Sequence, residues 1–540
     1  ADAPIDQAAR RLLRLLVPSR RMERSRTLGA VNPADHKALA RQLAESAITL
    51  LKNEGEALPL DIKKLRSIAV IGPNAGEAVI AGGGSSHVDP PYRISPYQAI
   101  CDVLGDSLRI SYAQGGDNFD EPFTIPSSWL EGGLYFAAFT DSDFSGKPVF
   151  ETTIQQPKVW LNTDRSEIDP PPGREICQGR LSEPEDGRSR CILHLGGVIR
   201  LLLDGELLMV STGNGMEQRS EVRHHFRAGH RYELCVEYLR PPDQEVFSLR
   251  LALGRTYEDG MDHRLAQAVQ AARSSDVALV FGGYPEAFES EGHDREDLDL
   301  PGGQNELISA VASENPNTIV VLNAGAPVSM PWINQVAAVV MAYYPGQENG
   351  AAVTNVLTGL VNPSGKLPIT LPRKLEQSPA YINASYAGAC EVRYGEGIFV
   401  GYRYFDIVGS EPLFPFGHGL SYTSFEFSDL QVPGVVDLNS EVSVMLTVRN
   451  TGLVAGAEVV QIYVADPVSS LPRPPKELKE FAKVDLSPGE SKTISFTLGK
   501  RAFSFFHPHR MKWVAEPGQY EILAGASSRD IRLRAKLQLT

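Results

Sequence analysis

Seven carboxyl side chains fall within FESEGHDREDLDLPGGQNELI, residues 288 to 308, just behind the apolar run DVALVFGG that starts at Asp276. Carboxyl groups carry proton transfer and nucleophilic attack when their surroundings tune them. The apolar run reads as a buried strand, and in an open α/β sheet ligands bind outside the carboxyl ends of the strands. Each single Asp or Glu also has a plainer reading, as part of a solvated loop. Asp294 and Arg295 are expected to form an ion pair that orders the loop, and Asp297 and Asp299 to sit before or within a turn. Glu289 and Glu291 remain as the two that could point into a cleft.

Other chemistries find less support. GPNAGEA follows an apolar run and AGGGSSH is glycine-rich, but neither matches GxGxxG or GxxxxGK[ST], and Pro73 removes an amide that would cradle phosphate. Gly82 to Ser86 therefore reads either as a loop where backbone approaches a ligand or another domain closely, or as plain tight turning. The five cysteines, Cys101, Cys177, Cys191, Cys235 and Cys390, are odd in number and without CxxC or His-rich spacing. They are read as reduced structural thiols, with neither a disulfide framework nor a metal site expected, and they lean towards a reducing compartment such as the cytoplasm. A formal charge of −14 repels phosphate backbones and no basic run is interleaved with aromatics, so nucleic acid is not an expected partner. No window approaches the roughly 18 consecutive apolar residues of a membrane helix, and no membrane is expected. The seven arginines before Thr27 read as the solvated face of an amphipathic helix.

The elements that must position these residues follow from periodicity. Apolar and Arg positions recur at helical spacing from Ala8 to Leu16, and a second helix is expected from about Pro33 to Leu51, with Leu39, Leu43, Ala47, Leu50 and Leu51 as its apolar stripe. SIAVIGPNAG reads as a buried strand over Ser67 to Ile71. DVALVFGG, NTIVVLNAGAP from Asn317 and AAVVMAYYPGQ from Ala337 read the same way, with helical patterns HRLAQAVQAARSS and GQNELISAVASEN between them. That alternation predicts an α/β layer with a mostly parallel sheet. Between Phe123 and Gly254 the rhythm changes to short β runs with Asp204-Gly205 as a hairpin turn, which predicts an inserted β-sandwich. A further all-β module closes the chain, where Val442, Val444, Leu446 and Val448 alternate with polar residues. The expected fold class is therefore multidomain, α/β plus all-β.

ITLLKNEGEALPL, IAVIGPNA, the Phe288 to Ile308 loop, VVLNAGAPVSMPW, YYPGQENGAAVTNVLTGLVNPSGKLPITLP, YGEGIFVGYRYFD and FPFGHGLSYTSF occur in this order. Together they resemble the α/β-sandwich domain of glycoside hydrolase family 3, the β-glucosidase family. GLYFAAFTD, GGVIRLLLDGE and AGHRYELCVEY look like the protective-antigen-type sandwich that some of these enzymes carry, although GREICQGRL departs from its usual aromatic-rich segment. VRNTGLVAGAEVVQIYV, PPKELKEFAKVDLSPGESKTISFTL and EPGQYEILAG are similar to their fibronectin type III domain. The implied division is 31–122 with 255–425 for the α/β sandwich, 123–254 for the insert and 426–540 for the last module.

The resemblance implies a retaining β-glucosidase, in which one carboxyl protonates the leaving oxygen while a second, about 5–5.5 Å away, attacks the anomeric carbon. It makes Glu291 the acid/base, with Glu289 as fallback because two residues on along an extended loop faces the same side. Tyr284 and Phe288 would supply apolar walls that raise the acid's pKa, and Phe288, Ser85 and Ser86 would contact the β-glucoside. It implies no metal and no organic cofactor. The family's nucleophile is an Asp in a Ser-Asp-Trp motif on a (β/α)8 barrel, and here Trp occurs only at 129, 160, 332 and 513, never after Ser-Asp. Residues 1–30 resemble that barrel's last helix and exit linker, so the barrel itself is an expected partner. The sheet face a barrel would cover is expected to be exposed and apolar, inviting association of copies. A non-catalytic carbohydrate-binding or scaffold protein stands as the alternative.

Overall fold

Strands β1 (Thr49–Asn53), β2 (Ser67–Ile71), β3 (Arg109–Ala113), β4 (Val277–Gly283), β5 (Thr318–Asn323) and β6 (Ala338–Met341) form one sheet in the order β1-β6-β5-β4-β2-β3. The structure is a computed structural model. It describes residues 3–17, 32–116, 130–139, 146–154, 158–162, 174–182, 187–195, 198–212, 218–227, 230–239, 246–256, 263–286, 288–291, 295, 297–382 and 393–540. Neighbouring strands are parallel except β1, which runs antiparallel to β6.

The four expected strands are buried at every residue because helices cover both faces. After an outlying helix α1 (Ala3–Leu16), whose described side chains are exposed, the flanking helices are α2 (Ala34–Ala47), α3 (Pro96–Leu104), α4 (His263–Arg273), α5 (Gln304–Glu314) and α6 (Asn349–Leu357). Ala69 and Ile71 of β2 and Val280 of β4 pack with Ala268 of α4 and Leu307 and Val311 of α5. Ile68 and Val70 of β2 and Phe281 of β4 pack with Ala44 of α2, Leu104 of α3 and Val353 of α6. The β2-to-β3 connection thus crosses on one face and the β4-to-β5 connection on the other. Chain order runs outward in opposite directions from the β2–β4 pair, which makes the carboxyl end of that pair the switch point of the sheet.

Two sequence expectations are corrected here. The second helix stops at Ala47 instead of Leu51, and Thr49, Leu50 and Leu51 form the edge strand β1 with 0%, 0% and 1% exposure. Pairing with β6, a bridge to Leu420 and the bond from Gly365 N–H to the Ile48 carbonyl (3.1 Å) override the helical pattern. Leu39 and Leu43 are 52% and 62% exposed, since α2 turns Ala44 inward and sends Arg41 to Glu348 (2.8 Å). Nor is a face of the sheet left bare, because a sheet wound on both sides covers itself. Four exposed leucines lie on the helices α1 and α2 instead, Leu12, Leu13, Leu39 and Leu43.

Between β3 and α4 the described strands form a six-stranded and a four-stranded sheet, all antiparallel. Asp204 and Gly205 have φ of 52° and 77°, the left-handed pair that a two-residue hairpin requires. The C-terminal module is built of three-stranded and five-stranded sheets, and Val442, Val444, Leu446 and Val448 are each fully buried. It is fastened to the α/β unit by the Lys366–Glu458 pair (2.7 Å) and by the Gln461 amide on the Gly417 carbonyl (3.2 Å). Residues 18–30 of the expected linker, Trp129, Cys390, Asp294 and the side chains of Cys177 and Cys191 lie outside the described residues. No described helix is long and apolar enough to cross a membrane.

Because Ile68 and Ile71 face different helix layers, Ile68→Ala and Ile71→Ala are each expected to lower stability by about 2–5 kcal/mol. Their effects should add to within about 0.5 kcal/mol in urea unfolding. Strong non-additivity would show that the two layers are not separate.

Candidate active site

Both strands of the switch-point pair leave the sheet through glycines pressed against a neighbour's backbone. Gly72 has φ 110°, and a Cβ there would lie 2.1 Å from the Phe281 carbonyl oxygen. Gly283 has φ 139°, and a Cβ there would lie 2.0 Å from that of Asn323. Only glycine fits either position. Gln304, at the start of α5, locks the second exit: the Gly283 N–H donates to Oε1 (2.8 Å) and Nε2 donates to the Gly283 carbonyl (2.9 Å).

The acidic loop then folds back instead of extending. The Phe288 N–H donates to the Pro285 carbonyl (2.9 Å), and the ring packs against the core beside Tyr284 (centroids 6.3 Å apart). Tyr284 is 1% exposed; its hydroxyl is shared between the carbonyls of Leu298 (2.9 Å) and Asp299 (3.0 Å), and burial pushes its pKa upward. Arg295 lies over the Tyr284 ring (4.3 Å) and donates to the Pro327 carbonyl (3.1 Å). Asp297 accepts from the Asp299 N–H (2.9 Å), and the Ser329 hydroxyl donates to Asp299, so these two acids serve the turn.

The fold separates Glu289 from Glu291. Glu289 reaches the loops after β5 and β6, where Oε2 accepts from the Gly325 N–H (2.7 Å) and from the Tyr344 hydroxyl, and Oε1 accepts from the Ala326 N–H (3.0 Å). Arg295 stands 4.0 Å away, and the Glu289 side chain is 12% exposed. Tyr344 follows Tyr343, whose left-handed backbone (φ 55°) is held by the Asn323 amide on its carbonyl (2.9 Å). Burial, then the Glu289 charge, pushes the Tyr344 hydroxyl's pKa upward, so it stays a donor.

Glu291 is exposed and turns to the loop after β2. The Ser85 hydroxyl and N–H (3.3 Å) both donate to its Oε2, and the hydroxyl first, then the amide, holds the carboxyl below the usual range. Three glycines make this meeting possible. A Cβ on Gly82 would lie 2.8 Å from the Glu289 carbonyl oxygen, one on Gly83 2.3 Å from that of Glu286, and one on Gly84 3.2 Å from the Glu291 Cβ. The Ser86 hydroxyl turns back to the Gly83 carbonyl (2.9 Å). His87 closes the junction, with Nδ1 2.9 Å from Glu286 and Nε2 3.1 Å from Asp89; Glu286 first, then Asp89, raises its pKa.

The sequence did not single out Tyr344, Gly325, Ala326, His87 or Glu286. The first three sat inside runs read only as strand tails, and backbone N–H donors leave no trace in side-chain chemistry. Among the described residues no cluster of His, Cys, Asp and Glu could hold a metal ion.

Residues 48–422 match the glycosyl hydrolase family 3 C-terminal domain, and residues 458–528 the fibronectin type III-like domain. The chain is 36% identical to β-glucosidase B of Emericella nidulans over 100% of its own length and 67% of that protein's. It is 36% identical to a β-glucosidase of Rhizobium radiobacter, over 98% and 66% of the two lengths. The crystal structure of a β-glucosidase from Kluyveromyces marxianus in complex with glucose superposes with a TM-score of 0.79 at 34% identity, covering 94% of this chain and 62% of that one. The chain thus spans about two thirds or less of the relatives it matches.

Removing Glu289 strands three donors at once, so Glu289→Ala is expected to cost about 1–3 kcal/mol and to speed proteolysis within residues 284–300. Glu291→Gln should leave both readouts unchanged. Equal sensitivity of the two variants would mean that the carboxylates do not divide anchoring from exposure in this way.

Proposed function

This chain belongs to glycoside hydrolase family 3, and on that premise we propose that it supplies the acid/base half of a retaining β-glucosidase, with Glu291 as the acid/base. One observation carries the assignment. Of the two candidate carboxyls at the switch point, Glu289 already accepts from three donors, whereas Glu291 is exposed and its described bonds come from Ser85 alone. A group that must gain and lose a proton each turnover cannot also be the anchor of its own loop. Glu289 is then the positioning residue that fixes where Glu291 stands.

In this reading a terminal β-D-glucosyl residue enters beside Glu291. Glu291 protonates the glycosidic oxygen as the bond to the anomeric carbon breaks, a second carboxylate forms the glycosyl ester, and Glu291 then takes the proton of the water that cleaves it. The second carboxylate comes from outside these 540 residues, which contain no Ser-Asp-Trp triplet. Glucose as the sugar rests on the relatives' names and on the glucose complex of the K. marxianus enzyme. Phe288, packed on the core, and the Gly82–Ser86 loop border the entry.

The electrostatics assign Ser85 a task. Ser85 favours the charged form of Glu291, which opposes the first step and suits the second. A sugar that displaces Ser85 and excludes water would raise the pKa and load the acid. Glu291's depressed pKa also means that the Ser85 contact contributes loop order above the ordinary carboxylate range and is lost as pH falls through the lowered value.

Hydrolysis of p-nitrophenyl β-D-glucoside tests the proposal. The 540-residue chain alone should be silent, and a longer chain that restores the relatives' remaining portion should turn over. Glu291→Gln in the longer chain should then lose about 10²–10⁴-fold. Turnover by the 540 residues alone would place a nucleophile within them, and an active Glu291→Gln would remove Glu291 from the role. Silence of both chains would favour a non-catalytic carbohydrate-binding protein. Ser85→Ala should raise the Glu291 pKa, so the alkaline limb of kcat/KM should move to higher pH; an unmoved limb would show that Ser85 does not tune the acid.

A further inference from the structure

The C-terminal module carries a cleft of about 940 Å3 where it meets the segment around Ile398 and Val400 of the α/β unit. This volume lies within the range of small-molecule sites, about 300–1,000 Å3. Its aromatic wall is a separate two-stranded hairpin, Phe505–His507 paired with Lys512–Val514, outside both sheets of the module. Phe506 and Trp513 face each other across it in an edge contact (centroids 5.7 Å apart) and are 44% and 51% exposed. The module's core does not use these rings. Arg501 lies over the Trp513 ring.

Charged groups in the cleft are already matched to one another. Arg473, 3% exposed, binds Asp466 (3.0 Å) and Glu477 (2.8 Å); Lys479 stands 3.3 Å and Arg403 4.0 Å from Glu477. An anion would have to compete with Glu477, and a cation with Arg473. Hydrogen-bonding capacity remains all the same: Arg403 Nε is buried with no hydrogen-bond partner among the described residues, and Glu480 lines the same cleft. The ligand that fits is uncharged, has apolar faces for the rings, and carries edges that both donate and accept. The prolines of a proline-rich strand offer backbone acceptors only, whereas every sugar hydroxyl both donates and accepts.

We infer that this cleft is a non-catalytic site for an uncharged oligosaccharide, with pyranose faces on Phe506 and Trp513 and hydroxyl edges on Arg403 and Glu480. It stands whether or not Glu291 protonates a glycoside, because it shares no residue with that site.

Calorimetric titration of the 540-residue protein with cellotetraose, and separately with laminaritetraose, is the test. At least one should bind saturably with a Kd between about 10 μM and 1 mM. Trp513→Ala and Phe506→Ser, both at exposed hairpin positions, should each weaken binding at least about tenfold, with circular dichroism unchanged, while Glu291→Gln binds as the parent. No saturable binding of either sugar by about 10 mM overturns the inference. So does binding that survives both hairpin variants, binding abolished by Glu291→Gln alone, or saturable capture of a proline-rich decapeptide in place of both sugars.

Discussion

Backbone pressed against backbone at the sheet's switch point is the constraint on which the rest depends. Gly72 against Phe281 and Gly283 against Asn323 bring β2 to β4 and β4 to β5 closer at their exits than any side chain allows. The chains leaving β2 and β4 diverge from there and meet again, Gly83 against Glu286 and Gly84 against Glu291. Proximity at the second meeting follows from proximity at the first. Four glycines, with Gln304 bonded to Gly283, thus fix where the acidic loop stands.

Carboxylates at such a junction can serve structure or chemistry, and the two uses demand opposite surroundings. Glu289 satisfies two backbone N–H groups of the turn after β5 and ties Tyr344 to them, so one side chain joins the loops after three strands. Multiple donors favour the charged form and hold it in place. Among the described residues Glu291 is bonded by Ser85 alone and faces solvent, so whatever displaces Ser85 changes its protonation. His87 and Arg93, at 2.9 Å and 3.9 Å from Glu286, answer the acidity of the loop from the other side without touching Glu291 by any described bond.

Legibility in the sequence followed the range of the interactions. The four buried strands were readable because both faces of the sheet are covered, giving unbroken apolar runs. The Asp204-Gly205 turn and the Val442 to Val448 alternation were readable because a local rule sets each. β1 was misread because TLLKN continues a helical pattern and is made a strand only by β6 and Leu420, both far off in the chain. The crowd of acids at 288–308 marked the site. Which acid anchors and which stays exposed was not legible, since the donors to Glu289 are mostly backbone amides whose residue names, Gly325 and Ala326, carry no chemical signal.

The same reasoning explains why the sheet face expected to lie exposed beside a barrel is covered instead. A doubly wound sheet completes its own layers, so an interface with another body has to be made by helices and loops. Leu39 and Leu43 of α2 point outward while Arg41, between them in sequence, reaches Glu348, which is 1% exposed and also accepts from Tyr92. That buried carboxylate needs its partner more than the leucines need cover, because an unpaired buried charge costs several kcal/mol and an exposed leucine about 2. The helix therefore takes the rotation that serves Glu348, and its apolar stripe is what remains for a neighbour.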